Sequence, residues 1–264
     1  MGNSHRPTQV AIVDSDAVAA SLLFSILRSI GPYDVWRNSS DAQAWQSLRT
    51  MTPDLFFVEL AGTRVHGPTF TSLLRRSDLA CRKAPVIVLA SEPTALAVRQ
   101  ARDAGVHEFL CRPFTVQDVI HRLEEVARRQ RDWIEAIQYI GPDRRRAHSA
   151  EFSGARKRLL DSHDASSGSA RVGQALKIMK VAAQAIETEP RQALRSLLAQ
   201  ADDMEAASVE TCDWAAAAAA KDFRTYLVSE AAKGRFSSEQ LMEHTANLEA
   251  FQPSAANGGA KMHA

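Results

Sequence analysis

Between residues 8 and 115, short apolar runs alternate with longer stretches of helical spacing. Val10–Val13, Asp34–Trp36, Leu55–Val58, Val86–Leu89 and Glu108–Cys111 read as strands. Each is bounded by Gly, Pro, Ser or Asp, and most are built from Val, Ile, Leu and Phe. Between them, Ala17–Ile30, Asp41–Thr50, Thr69–Arg76 and Thr94–Ala104 carry a helical repeat. In the first of these, Val18, Leu22, Leu23, Ile26, Leu27 and Ile30 are assigned to one face. Gly31-Pro32 and Gly105 supply stop signals. Strands alternating with helices predict an α/β fold, a doubly wound five-stranded parallel sheet covered on both faces. Ligand chemistry on such a sheet belongs at the carboxyl ends of the strands.

A fifth helix is expected from Val116 to about Tyr139, with Val119, Leu123, Val126, Trp133, Ile137 and Ile140 as its stripe. Gly141-Pro142 is expected to end it. Residues 141–169 are rich in Ser, Gly and Arg and read as a basic flexible linker. From 170 to 252 the pattern is helical again. Val172 to Ile186 form one helix, and Pro190 opens a second with Leu194, Leu197, Leu198 and Ala201. A third is expected from about Glu205 to Lys233, through the Ala215–Ala220 tract, capped by Gly234. At 1.5 Å per residue it would be roughly 40 Å long. Ser237 and Gln240 suggest a capping box for a last helix carrying Leu241, His244, Leu248 and Phe251. None of these helices buries its stripe alone, so an all-α bundle is expected, within the chain or across a dimer. Residues 253–264 read as a disordered tail.

Composition excludes more than it identifies. The 264 residues are 45% hydrophobic and 24% charged, ordinary for a globular protein. The net charge is +1, which points to no partner class by bulk electrostatics. Cys81, Cys111 and Cys212 are scattered and odd in number, which suits a reducing compartment. The polar start "MGNSHRPTQ" does not read as a signal peptide, and no run approaches a membrane span. A cytoplasmic protein without cofactor is expected.

The strand-end motifs "VAIVDSD" (10–16), "PDLFFVEL" (53–60), "PVIVLAS" (85–91) and "DAGVHEFLCRPF" (103–114) carry a family likeness. Residues 8–130 resemble the receiver domain of bacterial response regulators, a flavodoxin-like fold. The resemblance implies a phosphoryl-accepting aspartate after the third strand and an acidic pair after the first that holds magnesium. It also implies a Ser or Thr after the fourth strand and a Lys before Pro in the last loop, both gripping phosphoryl oxygens.

This chain departs from that pattern. Asp14 keeps the first acidic position, but Ser15 takes the second and Asp16 follows one place later. Glu59 replaces the acceptor, Ala90 the hydroxyl and Arg112 the lysine. Glutamate carries its carboxylate about 1.5 Å further out, which spoils in-line geometry. Magnesium demands near-octahedral oxygens, so Asp14 with Glu59 would hold it weakly at most. Ala90 donates nothing, and Arg112 is a planar fork able to pair with Glu59 rather than a compact ammonium. The resulting expectation is a pseudo-receiver without phosphotransfer. Glu59 then either imitates the phosphorylated state, at about −1 against −1.5 to −2, or belongs to a switchless scaffold. Without a hydroxyl at Ala90, the usual relay to the last-strand aromatic, here Phe109, is lost.

The expected role is a non-catalytic, two-component-type adaptor that binds a protein partner, itself, or both. Ala97, Val98 and Ala101 are candidate receiver-interface residues, rimmed by Arg99 and Arg102. Arg144, Arg145 and Arg146 form the basic part of the linker, where phosphates of nucleic acid are the alternative partner. The segment "AAKGRFSSEQLMEH" (231–244) is faintly similar to the RNA-binding antiterminator module of some degenerate receivers. An RNA- or DNA-binding regulator is therefore the runner-up. His244 reads as a partly buried core histidine, because "HTANLEA" lacks the Lys and Gly of histidine phosphotransfer domains. His66, His107, His121, His148 and His163 read as surface residues.

Overall fold

The structure, a computed structural model, describes residues 7–128, 131–144, 168–234 and 236–251. Five strands form one parallel sheet: β1 (Gln9–Val13), β2 (Asp34–Asn38), β3 (Leu55–Glu59), β4 (Val86–Ala90) and β5 (Glu108–Cys111). Their order is β2-β1-β3-β4-β5, with Val13 opposite Val58 and Glu59 opposite Leu89. Side-chain alternation along these strands builds two cores. Ala11, Val13, Phe56, Val58, Val86 and Val88 face α2 (Asp41–Ser47), α3 (Gly67–Arg76) and α4 (Ala95–Asp103). Val10, Ile12, Leu55, Phe57, Ile87 and Leu89 face α1 (Ala17–Ile30) and α5 (Val116–Arg128). On α1 the buried residues are Ala20, Leu23, Ile26 and Leu27, whereas Val18 and Leu22, expected on that face, are exposed.

The fifth helix is shorter than the apolar spacing predicts. It ends at Arg128, and a two-stranded sheet follows, β6 (Trp133–Glu135) with β7 (Ile140–Pro142). Trp133 reaches back to Arg75, whose guanidinium carbon lies 5.2 Å from the indole centroid. Arg75 is fully buried and uses every N–H it has. Nε and Nη2 donate to the Gly105 carbonyl, Nη1 to the Arg82 and Ala84 carbonyls, and Nη2 also to His107 Nδ1. Burial lowers its pKa to about 9, still cationic at neutral pH. Gly105 must be glycine: its φ is +89°, and a Cβ would lie 2.4 Å from the Ile140 carbonyl oxygen.

The chain divides into two compact units, the first holding residues up to 134 with 139–143, the second holding 135–138 and everything from 144. Four helices build the second: α6 (Gly168–Gln184), α7 (Pro190–Glu210), α8 (Trp214–Lys233) and α9 (Ser238–Glu249). α7 packs on α6 and α8, and α9 packs on the same two, closing a ring around one core. The long helix expected from Glu205 to Lys233 is broken. Cys212 turns with φ 58°, and the Asp213 carboxylate caps α8 by accepting from the Ala216 N–H at 3.0 Å. Ala216, Ala217 and Ala220 are buried where α8 meets its neighbours, and Gly234 caps its end at φ 67°. Ser237 stands at the N-cap of α9 but makes no side-chain cap bond, so the expected capping box is not formed. The linker expected at 141–169 begins as strand β7, and 145–167, like the tail from 253, lies outside the described residues.

Candidate functional site

The carboxyl ends of β1, β3, β4 and β5 converge on one small polar pocket. Asp14 leaves β1 almost fully buried, 1% exposed, with its N–H donating to the Asn38 carbonyl. Its Oδ1 accepts from the Asp16 N–H at 3.0 Å, and its Oδ2 takes Nη2 of Arg112. Burial pushes the Asp14 carboxyl above its usual range, opposed by the Asp16 N–H and by the Arg112 charge. Asp16 is committed elsewhere, because its Oδ1 caps α1 through the N–H groups of Val18 and Ala19.

Glu59 ends β3 and does not point into open solvent. Its Oε2 accepts from Ser15 Oγ at 2.6 Å and from the Ser15 N–H at 2.9 Å. Its Oε1 stands 3.9 Å from Arg112 Nη1. The bidentate Arg112–Glu59 pairing that the sequence allows is therefore not what forms. Arg112 pairs closely with Asp14 and only loosely with Glu59, while Ser15 holds the glutamate. Gly62 closes over this arrangement: a Cβ there would lie 2.0 Å from Glu59 Oε2 and 2.4 Å from Ser15 Oγ. The loop is fixed from below, since the Gly62 N–H donates to the Val65 carbonyl and the His66 N–H to Asp41 Oδ2. Ala90 ends β4 at 1% exposure and offers no donor; Ser91, next to it, is exposed.

These donors do not fit magnesium. Both Asp14 oxygens and Glu59 Oε2 are already hydrogen-bonded within the chain, and a guanidinium lies against both carboxylates. Among the described residues no three His, Cys, Asp or Glu side chains gather as metal ligands. Arg112 Nε is buried without a hydrogen-bond partner. The pocket is thus an internally paired ionic cluster.

The remaining candidates divide. Phe109 is half-buried against the core that holds Ala90 and Ala101. Ala101 is wholly buried and Ala97 packs on the same core, so the exposed apolar contacts of α4 come from Leu96, at 64% exposed, beside half-buried Val98. His107 is no surface residue: Nδ1 accepts from the Val86 N–H, and the ring stacks on Trp133. His66 and His121 are exposed, and His148 and His163 lie outside the described residues, as do Arg145 and Arg146. His244 is half-buried as expected, with its ring 4.0 Å from Tyr226 and 6.0 Å from Phe223. Sequence reasoning missed the Ser15–Glu59 pair and Gly62. The "GTR" after the apolar run was the available signal, because a glycine three residues past a buried carboxylate permits close approach.

Comparison with known proteins places the first half of the chain. Residues 10–124 match the response regulator receiver domain family. Over 128 residues the chain is 29% identical to the transcriptional regulatory protein PdtaR of Mycobacterium tuberculosis, covering 48% of this chain and 60% of that protein. It is 25% identical over 124 residues to the DNA-binding response regulator MtrA of the same organism, covering 47% and 52% respectively. The chain thus spans about half to three fifths of the length of these relatives. A solved structure, a putative response regulator from Chloroflexus aurantiacus, is 26% identical, with 47% of this chain and all of that one covered and a TM-score of 0.44.

Proposed function

We propose that residues 10–124, which match the response regulator receiver domain family, act as a receiver that signals without accepting a phosphoryl group. One observation carries the reading. The carboxylate at the acceptor position is tied by both donors of Ser15, and the cation-binding acid beside it is neutralised by Arg112. A nucleophile needs a free oxygen lone pair aligned on phosphorus and a cation bridging to it. This pocket spends both on itself. Glu59 is therefore a structural anchor between β3 and the loop after β1, in a non-catalytic cytoplasmic adaptor.

The output is protein–protein contact, through the helical module and through self-association. Trp214, Val209, Val181 and Val228 are exposed on helices of that module and supply apolar surface for it. Light scattering of the full chain at tens of micromolar is expected to show a dimer; a monomer would remove self-association from the proposal.

The decisive experiment is incubation with acetyl phosphate and magnesium followed by intact-mass measurement. No phosphoryl adduct is expected. An adduct that disappears in Glu59→Gln would overturn the reading.

The names of the relatives, a transcriptional regulator and a DNA-binding regulator, favour one second reading, a nucleic-acid-binding regulator. That reading requires binding near physiological salt that falls steeply as salt rises, and that weakens when Arg144, Arg145 and Arg146 become Ala. A protein-docking module leaves partner capture intact in the same variant.

A further inference from the structure

The stretch of chain that follows α5 passes over a histidine whose protonation state the geometry fixes. Residues 131–134 belong to the same compact unit as the five-stranded sheet. Arg131 Nη2 pairs with the Glu108 carboxylate at 3.0 Å. The Trp133 ring centroid lies 6.4 Å from that of His107, 5.2 Å from Arg75 Cζ and 5.8 Å from Lys83 Nζ.

His107 is half-buried and locked to one peptide group. Its backbone N–H donates to the Val86 carbonyl at 2.8 Å, and its Nδ1 accepts from the Val86 N–H at 3.3 Å. Arg75 Nη2 approaches the same ring nitrogen, also at 3.3 Å. A backbone amide and a guanidinium can only donate. Nδ1 therefore carries no proton, and the neutral ring holds its proton on Nε2.

A second proton has one place to go. At Nδ1 it would set N–H against N–H twice and leave the Val86 amide and Arg75 each short of an acceptor. The new charge would also stand beside cations. α3 brings Arg75, fully buried and still cationic at neutral pH with a pKa of about 9. The 3-10 turn Ala80–Lys83 brings Lys83 and Arg82, whose Nε donates to the Arg75 carbonyl at 2.9 Å. Cys81 from that turn and Tyr139 also face Arg75. β5 brings Glu108, which Arg122 and Arg131 already hold at 3.6 and 3.0 Å.

We propose that His107 is a proton-operated latch on the stretch after α5: protonation at Nδ1 breaks both hydrogen bonds and releases Trp133 from the sheet. The latch is closed at neutral pH and above, and it opens as pH falls. Residues 131–134 lie in sequence between the sheet and the helices, so the proton is an input to this chain other than phosphate. The inference goes beyond the phosphate-free reading and does not depend on the chemistry at Glu59.

Two measurements test it. Long-range proton–nitrogen NMR spectra of the full chain report the ring, with the His107 signals identified by their loss in His107→Gln. They should show the Nε2–H form at about pH 8 and protonation centred below about 6.5, the value of a free imidazole. In Trp36→Phe/Trp45→Phe/Trp214→Phe protein the remaining tryptophan is Trp133. Its emission should shift to the red, and acrylamide should quench it more, over the same pH interval. His107→Gln keeps an acceptor oxygen but cannot titrate, so in that variant both changes should be lost. Circular dichroism establishes that helix content is kept; if the triple Phe variant does not fold, the indole N–H signal of Trp133 in the unaltered chain replaces fluorescence. A proton on Nδ1 at about pH 8, or a ring still neutral at about pH 5, would overturn the proposal. So would protonation without a change at Trp133, or a Trp133 transition that persists in His107→Gln. None of these outcomes touches the acetyl phosphate result, so the two readings fail separately.

Discussion

Ser15 Oγ lies 2.6 Å from Glu59 Oε2, and the Ser15 amide donates to the same oxygen. The residue at the second acidic position of the receiver pattern has thus become the hydrogen-bond donor to the residue at the acceptor position. Ser15→Ala should remove one of these two bonds and leave a charged oxygen half-satisfied. The expected cost is about 1–2 kcal/mol, read as a lower urea midpoint at unchanged slope. An unchanged midpoint would mean that the pair contributes nothing to the fold.

Arg112→Met should cost more, about 3–5 kcal/mol, because it leaves the buried Asp14 carboxylate without its counter-charge. Asp14→Asn in the same background should recover most of that loss. The pH dependence has a defined sign. The Asp14 pKa is raised in the folded state, so the folded protein binds more protons than the unfolded chain above the ordinary aspartate value of 3.8. Stability from this group therefore falls as pH rises from 3.8 through the folded pKa. Arg112→Met should steepen that fall and Asp14→Asn should abolish it. A flat profile in Arg112→Met would show that Asp14 is not the buried acid at issue.

Magnesium should not raise the melting temperature of the unaltered protein, since its carboxylates already face Ser15 and Arg112. Ser15→Asp, Glu59→Asp, Ala90→Thr and Arg112→Lys together should restore magnesium-dependent stabilisation and a phosphoryl adduct with acetyl phosphate. Glu59→Asp alone should restore neither. If it does, Arg112 and Ser15 are not what closes the site.

In the bundle, Leu197 is fully buried and Leu198 only partly so. Leu197→Ala should cost about 2–5 kcal/mol, and Leu198→Ala clearly less. Thermal unfolding followed by circular dichroism distinguishes them. Equal losses would place the core on the other side of α7.

The sheet is legible chiefly through its central strands β1, β3 and β4, which are apolar on both faces as a covered parallel sheet requires. The errors arose where two kinds of structure imitate one period. Trp133, Ile137 and Ile140 are spaced like a helical stripe, yet Ile137 packs in the helical unit while Trp133 and Ile140 belong to the other. The long alanine-bearing helix looked continuous because Ala is the best helix former. Asp213 supplies the cap at which that continuity ends. The sequence singles out Asp14, Ser15, Glu59 and Arg112, but neither Gly62 nor the way these four pair. Pairing depends on how far a side chain reaches across a parallel sheet, which linear spacing does not encode.

Gly62 gives the pocket its dimensions. Relative to an aspartate, Glu59 brings one extra carbon into the space above the sheet, and a glycine at 62 brings none at all. Because a Cβ would fall 2.0 Å from the carboxylate oxygen, positions 59 and 62 form a single steric unit in which a methyl group at one must displace the end of the other. Such a methyl would act as a wedge, prising the carboxylate off Ser15 without altering any charge or hydrogen-bonding group in the cluster.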